Sequence, residues 1–178
     1  MTDNEKLIKQ CQKKSSKAFN ELYKNYASLV YGICLRYTKD KAEAEDLMQE
    51  CFIKLLSKIG EYEFKGSFEG WLRRLTVNNA INYIRSKKVN ILSEDVSEYE
   101  MSNHEMDSNV ISKMSAGEIV NVINQLPDGY RMVFNLHVIE GYKHTEIAEL
   151  LGISDITCRT QYKKAREALM ALIKKNNE

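Results

Sequence analysis

"LLGISDITCRTQYKKA", residues 150–165, ends one helix, turns sharply and begins another. Gly152 supplies the backbone freedom such a turn needs. Ser154 is of the type that caps the second helix, and Thr145 is predicted to cap the first, over residues 146–151. Ile147, Ala148, Leu150 and Leu151 are the apolar side of that first helix. On the second helix Cys158, Tyr162, Ala165 and Leu169 recur at spacings of four, three and four, which turns them inward. Arg159, Lys163 and Arg166 fall opposite, with Thr160 and Lys164 beside them. Charge on an exposed helix face is ordinary by itself. A small residue, a glycine turn and a cap placed before a helix with four basic residues and no acid between Cys158 and Arg166 form a helix-turn-helix pattern. The second helix of such a pair lies in the major groove, where cations and amides meet phosphates and base edges.

Working outward, the charge is partitioned. The whole chain of 178 residues carries a net charge of +1. Residues 1–88 hold 17 Lys/Arg against 11 Asp/Glu, residues 89–112 hold six acids and no base, and residues 113–178 hold nine bases against eight acids. Two neutral-to-basic ends around an acidic strip predict two modules, 1–88 and 113–178, joined by a flexible linker over 89–112. A hydrophobic content of 43 % is enough for packed cores. No apolar run approaches the ~18 residues that cross a bilayer, and the N-terminus lacks the apolar stretch of a signal peptide, so a cytoplasmic protein is expected. Cys11, Cys34, Cys51 and Cys158 are scattered and form no C-x-x-C pair. They read as reduced thiols packed like small hydrophobes, not as metal ligands.

Helical periodicity dominates, and the expected fold class is all-α. Phe19, Leu22, Tyr23, Tyr26, Val30, Ile33, Cys34 and Tyr37 mark one amphipathic helix. Asp40 is placed to cap the next, which turns Ala44, Leu47, Met48, Cys51, Phe52, Leu55 and Ile59 to one side. Ser67 is placed to cap a third, with Phe68, Trp71, Leu72 and Leu75 inward. After the linker, Ile119, Val122, Ile123 and Leu126 form a short helix, Pro127 opens another, and Met132, Val133, Leu136 and Ile139 extend it towards a Gly141 cap.

"GSFEGWLRRLTVNNAINYIRSKK", residues 66–88, is a second candidate surface. Asparagine is a poor helix former, so Asn78, Asn79 and Asn82 on one helix weaken it locally. Amides hydrogen-bond base edges, and Trp71 and Tyr83 among Arg73, Arg74, Arg85, Lys87 and Lys88 suit stacking on unpaired bases. Trp71 alone is equally a core residue at helical spacing.

With these stretches in hand, the chain resembles a bacterial RNA polymerase sigma factor of the extracytoplasmic-function (ECF) group. The resemblance runs from about Ser16 to Lys174 and is carried by "AEAEDLMQECFIKLL" (42–56), "GSFEGWLRRLTVNNAINYIRS" (66–86) and "LPDGYRMVFNLHVIEGYKHTEIAELLGISDITCRTQYKKAREAL" (126–169). It implies that Asp46, Gln49 and Glu50 contact the clamp helices of the polymerase β′ subunit. It implies that the loop 63–68 captures a flipped base, and that Trp71, Asn78, Asn82 and Arg85 separate and read the melted strand. It also implies that Arg159, Thr160, Lys163 and Lys164 read the minus thirty-five element, that the acidic linker threads the RNA exit channel, and that an anti-sigma factor, commonly membrane-anchored, is a partner. Cys158, Lys163 and "SDIT" depart from the usual pattern, which bears on promoter preference. A stand-alone helix-turn-helix regulator would explain residues 119–175 but would leave the Trp/Asn/Arg helix and "DLMQE" without a use. An enzyme is not expected. His104, His137 and His144 share no ligand spacing, no Gly-rich phosphate loop or nucleophile–base pair is visible, and neither cofactor nor metal is expected.

Overall fold

A computed structural model of the chain describes residues 2–86 and 115–175. Every regular element among them is helical. The acidic strip 89–112, with the flexible linker expected there and His104, lies outside the described residues. The chain divides into two compact units, Met1–Tyr83 and Ile84–Glu178.

The first unit contains α1 (Asp3–Gln12), α2 (Ser16–Tyr37), α3 (Lys41–Lys58) and α4 (Phe68–Ser86) as far as Tyr83. Each helix begins on a side chain that accepts an otherwise unpaired backbone N–H. Thr2 and Glu5 form a reciprocal box on α1, Ser15 accepts from Ala18 on α2, and Asp40 accepts from Glu43 at 2.8 Å on α3. Ser67 accepts from Gly70 at 3.0 Å on α4. The periodic apolar residues close the core: Leu22, Ile33 and Cys34 of α2 meet Leu47, Cys51 and Leu55 of α3, all fully buried, with Ile8 of α1 and Leu72 and Val77 of α4. The Gln12 amide donates to the carbonyls of Ile59 (3.0 Å) and Tyr62 (2.9 Å), fastening α1 to the 3₁₀ turn Ile59–Glu61 that ends α3.

The second unit contains α5 (Ala116–Asn124), α6 (Asp128–Phe134), α7 (His144–Leu151) and the long α8 (Asp155–Lys175). Val122, Ile123 and Leu126 pack with Tyr130 on Ala165, Ala168 and Leu169 of α8. Asp128 and Arg131 form a buried ion pair at 2.7 Å, and Arg131 also donates to the Asn124 carbonyl.

Two local expectations are corrected. Thr145 does not cap α7: the helix starts at His144, and the Glu146 carboxylate accepts from the Lys143 N–H at 2.7 Å. A carboxylate at the third helical position does the capping from inside the helix. Ile139 is not inward. Residues Asn135–Ile139 form a π-helical turn in which Glu140 N–H donates to the Asn135 carbonyl, and the widened turn leaves Val138 and Ile139 exposed.

Candidate nucleic-acid interface

α4 carries the first surface. Trp71, Asn78, Asn82 and Arg85 recur at spacings that keep them on one stripe, and all but the half-buried Trp71 are exposed. The inner side of the Trp71 ring rests 5.5 Å from the buried Tyr62 ring and 5.7 Å from the Phe68 ring. Trp71 is therefore both a core aromatic and a surface one. A groove of about 400 Å³ runs along the stripe, with Lys54 and Lys58 of α3, Arg74 and Glu61 on its walls, Lys58 pairing with Glu61 at 3.3 Å. The three asparagines separate. All three line the groove, Asn78 and Asn82 as exposed amides, whereas Asn79 is half-buried and its amide donates to the Cys51 thiol at 3.3 Å. Asn79 ties α4 to α3, a role its neighbours in sequence do not share.

The loop before α4 is held in an unusual backbone. Phe64 has φ +61° and Gly66 φ +89°, both left-handed. A non-glycine residue there costs about 1–3 kcal/mol, which surrounding contacts must offset. The Tyr62 hydroxyl donates to the Gly66 carbonyl at 2.8 Å, the Phe64 ring lies 5.0 Å from that of Tyr62, and the Lys9 ammonium sits over Phe64.

α7 and α8 carry the second surface. Gly152 takes φ +68°, the left-handed turn foreseen from the sequence, and Ser154 accepts from the Thr157 N–H at 3.0 Å. Cys158 and Ala165 are fully buried, and burial pushes the Cys158 thiol up to about 11, so it stays protonated as a small apolar group. Arg159, Thr160 and Lys163 are exposed, and Lys164 is half-buried. Arg159 is paired with Asp155 at 2.7 Å, and Lys163 with Glu167 at 3.9 Å. Exposed pairs of this kind are worth about 0.3–0.5 kcal/mol, little enough for a phosphate to displace the carboxylate. Ile156, 77 % exposed, stands on the same stripe, three and four residues before Arg159 and Thr160. Sequence reading passed over it, although its place outside the inward series was visible.

Behind these helices the structure assembles what spacing did not connect. The rings of His137 and His144 stack at 4.1 Å, Tyr162 meets His137 edge-on at 4.8 Å, and His144 Nδ1 lies 3.5 Å from Cys158 Sγ. His137 Nδ1 donates to the Tyr142 carbonyl at 2.8 Å. Burial, then His137, then Arg159 lower the His144 pKa, so the neutral ring is favoured. Among the described residues no three His, Cys, Asp or Glu side chains are grouped to hold a metal.

On α3, Asp46, Gln49 and Glu50 are exposed on one edge, and no ion pair engages Asp46 or Glu50 among the described residues. Ile53 and Leu56, 68 % and 51 % exposed, continue that edge as apolar surface that sequence reading did not single out.

Residues 22–89 match the family Sigma-70 region 2, and residues 116–169 match Sigma-70, region 4. The ECF RNA polymerase sigma-E factor of Haemophilus influenzae is 30 % identical over 173 residues, covering 92 % of this chain and 91 % of that protein. The chain belongs to the ECF group of RNA polymerase sigma factors. The ECF RNA polymerase sigma factor SigW of Bacillus subtilis is 33 % identical, covering 92 % of this sigma factor and 93 % of that one. The fold is shared with the sigma factor RpoE of Bartonella quintana, solved in complex with the anti-sigma factor NepR, at a TM-score of 0.52 and 18 % identity over 89 % of this chain and 98 % of that chain. As a sigma factor it directs transcription initiation at promoters, which gives both units a use. A stand-alone regulator would account for the second unit only.

Proposed function

We propose a division of labour within this sigma factor: residues 1–88 bind core polymerase and melt the upstream promoter element, and residues 113–178 read the minus thirty-five element, with 89–112 as the tether. The observation that carries this is the α4 stripe of one aromatic, two amides and a cation beside a groove walled by Lys54, Arg74 and the exposed Lys58–Glu61 pair. Stacking on Trp71 would hold an unpaired base, the amides of Asn78 and Asn82 would meet its edge, and Arg85, Lys54 and Lys58 would neutralise phosphates. A duplex-only reader has no need of a stacking platform. On α8, Arg159, Thr160, Lys163 and Lys164 face the major groove, with the carboxylates of Asp155 and Glu167 holding the two cations until phosphate replaces them.

Asp46, Gln49 and Glu50 bind the β′ clamp helices, and the exposed Ile53 and Leu56 supply the apolar anchor that a charged rim needs. The work takes place in the cytoplasm, where the polymerase is. An anti-sigma factor anchored at the membrane is a further proposed partner. An anti-sigma partner, though not its anchoring, is supported by the anti-sigma factor NepR in the Bartonella quintana complex and by an apolar groove of about 330 Å³ in the second unit, lined by Phe134, Val138, Ile139 and Ile173. The test is to add the purified sigma factor to sigma-free polymerase core with promoter DNA. Promoter-dependent transcripts that disappear with Trp71→Ala plus Asn78→Ala, while duplex binding by the holoenzyme persists, support the division. Loss of duplex binding with normal melting would contradict it.

A further inference from the structure

We propose that Ile156 reads the 5-methyl group of a thymine in the duplex promoter element that α8 faces. The proposal rests on the assignment of α8 as a DNA reader. Ile156 is the most exposed of the large apolar side chains among the described residues. It is the second residue of α8, in the turn that a recognition helix pushes furthest towards base edges. With Arg159, Thr160 and Lys163 it falls at positions i, i+3, i+4 and i+7, so the isoleucine stands among the cationic and polar groups assigned to DNA and opposite the buried Cys158.

Neither folding nor helix stability asks for isoleucine at this place. It packs against no core, and a β-branched side chain loses χ1 freedom in a helix. That same stiffness presents its methyl groups in one rotamer, so little entropy is lost on contact. The flanking groups are fixed locally: Arg159 donates to Asp155 at 2.7 Å, and the Thr160 hydroxyl donates to the Ile156 carbonyl at 2.9 Å. In the major groove thymine alone offers a methyl group, while the other bases present only donors, acceptors and a bare C5–H. A single exposed apolar residue is unremarkable on most surfaces. Here its register on the reading face gives it a complementary target.

The experiment uses holoenzyme, made from the full chain and polymerase core, on a promoter recovered by that holoenzyme from a randomised upstream element. Each thymine of the element is replaced in turn by deoxyuridine, which removes the methyl and nothing else. Wild-type holoenzyme should lose about fourfold in promoter binding at one or two adjacent positions, which is what ~0.8 kcal/mol of buried methylene amounts to. Ile156→Ala should bind more weakly and treat thymine and uracil alike there, while Arg159→Ala should bind more weakly but keep the wild-type thymine-to-uracil ratio. The proposal is overturned if uracil is tolerated at every position, if the recovered element has no thymine, or if Ile156→Ala keeps the wild-type ratio. If Arg159→Ala and Lys163→Ala both behave like wild type, it is the DNA-reading assignment of α8 itself that fails.

Discussion

Asn78 and Asn79 are adjacent in sequence and differ in what they touch. Asn79 is half-buried and donates to the Cys51 thiol of α3, whereas Asn78 and Asn82 are exposed along the groove that all three line. Asn79→Ala should therefore lower stability by about 1 kcal/mol, the usual net loss for one partly buried hydrogen bond. Asn78→Ala and Asn82→Ala should instead raise it by a few tenths of a kcal/mol, because alanine is the better helix former. The same two substitutions should reduce promoter opening, read by permanganate reactivity of unpaired thymines. Thermal melts that destabilise all three alike would place Asn78 and Asn82 in the packing and remove them from the reading surface. Residue types alone could not make this distinction. Three asparagines in five positions flag an unusual helix, but which one turns towards α3 depends on a phase that only the packed core fixes.

At the scale of elements, helix ends were the most legible feature. Asp40, Ser67 and Ser154 cap where a short polar side chain precedes an apolar period, because unpaired N–H groups at a helix start have few other partners. α7 was misread at its start because a carboxylate inside the first turn replaced the expected cap. The π turn at Asn135–Ile139 was invisible, since a single widened turn shifts the register without changing composition. It also carries His137 to His144, seven residues on and across a loop, a pairing that periodicity does not encode. The burial of His144 gives the helix-turn-helix a pH dependence. His144 titrates below its ordinary 6.5 in the folded state, mainly through burial, then through His137 and Arg159. Asp155 opposes the shift, and the Cys158 thiol and Tyr162 ring complete the surroundings. Below 6.5 the unfolded chain binds the proton that the folded one resists, so stability present above that pH falls as pH drops through it. Melting midpoints between about pH 7.5 and 5.5 should show this fall, and His144→Gln should flatten it. An unchanged slope in the variant would assign the pH dependence elsewhere.

For the whole molecule, near-zero net charge conceals surfaces of different character and different use: an amide- and aromatic-bearing stripe on α4, a basic one on α8 and an acidic edge on α3. The charge partition pointed to two modules, in keeping with the two sigma-70 regions that the chain matches. The apolar extension of the acidic edge, Ile53 and Leu56, was hidden because exposed hydrophobics on an amphipathic helix look like misplaced core. On the function proposed above, the α3 edge is where this sigma factor meets polymerase. If Glu50 merely paired with Lys54 four residues on, its loss would cost about 0.3–0.5 kcal/mol and leave no phenotype; no such pair is formed among the described residues. The most direct measurement is co-purification of polymerase core with the doubly reversed variant Asp46→Lys, Glu50→Lys, with circular dichroism as the check of fold. Both side chains lie outside the core, so the variant should keep its helical spectrum and melting midpoint within a few degrees while core polymerase no longer co-purifies. A folded variant that retains wild-type amounts of core would contradict the account.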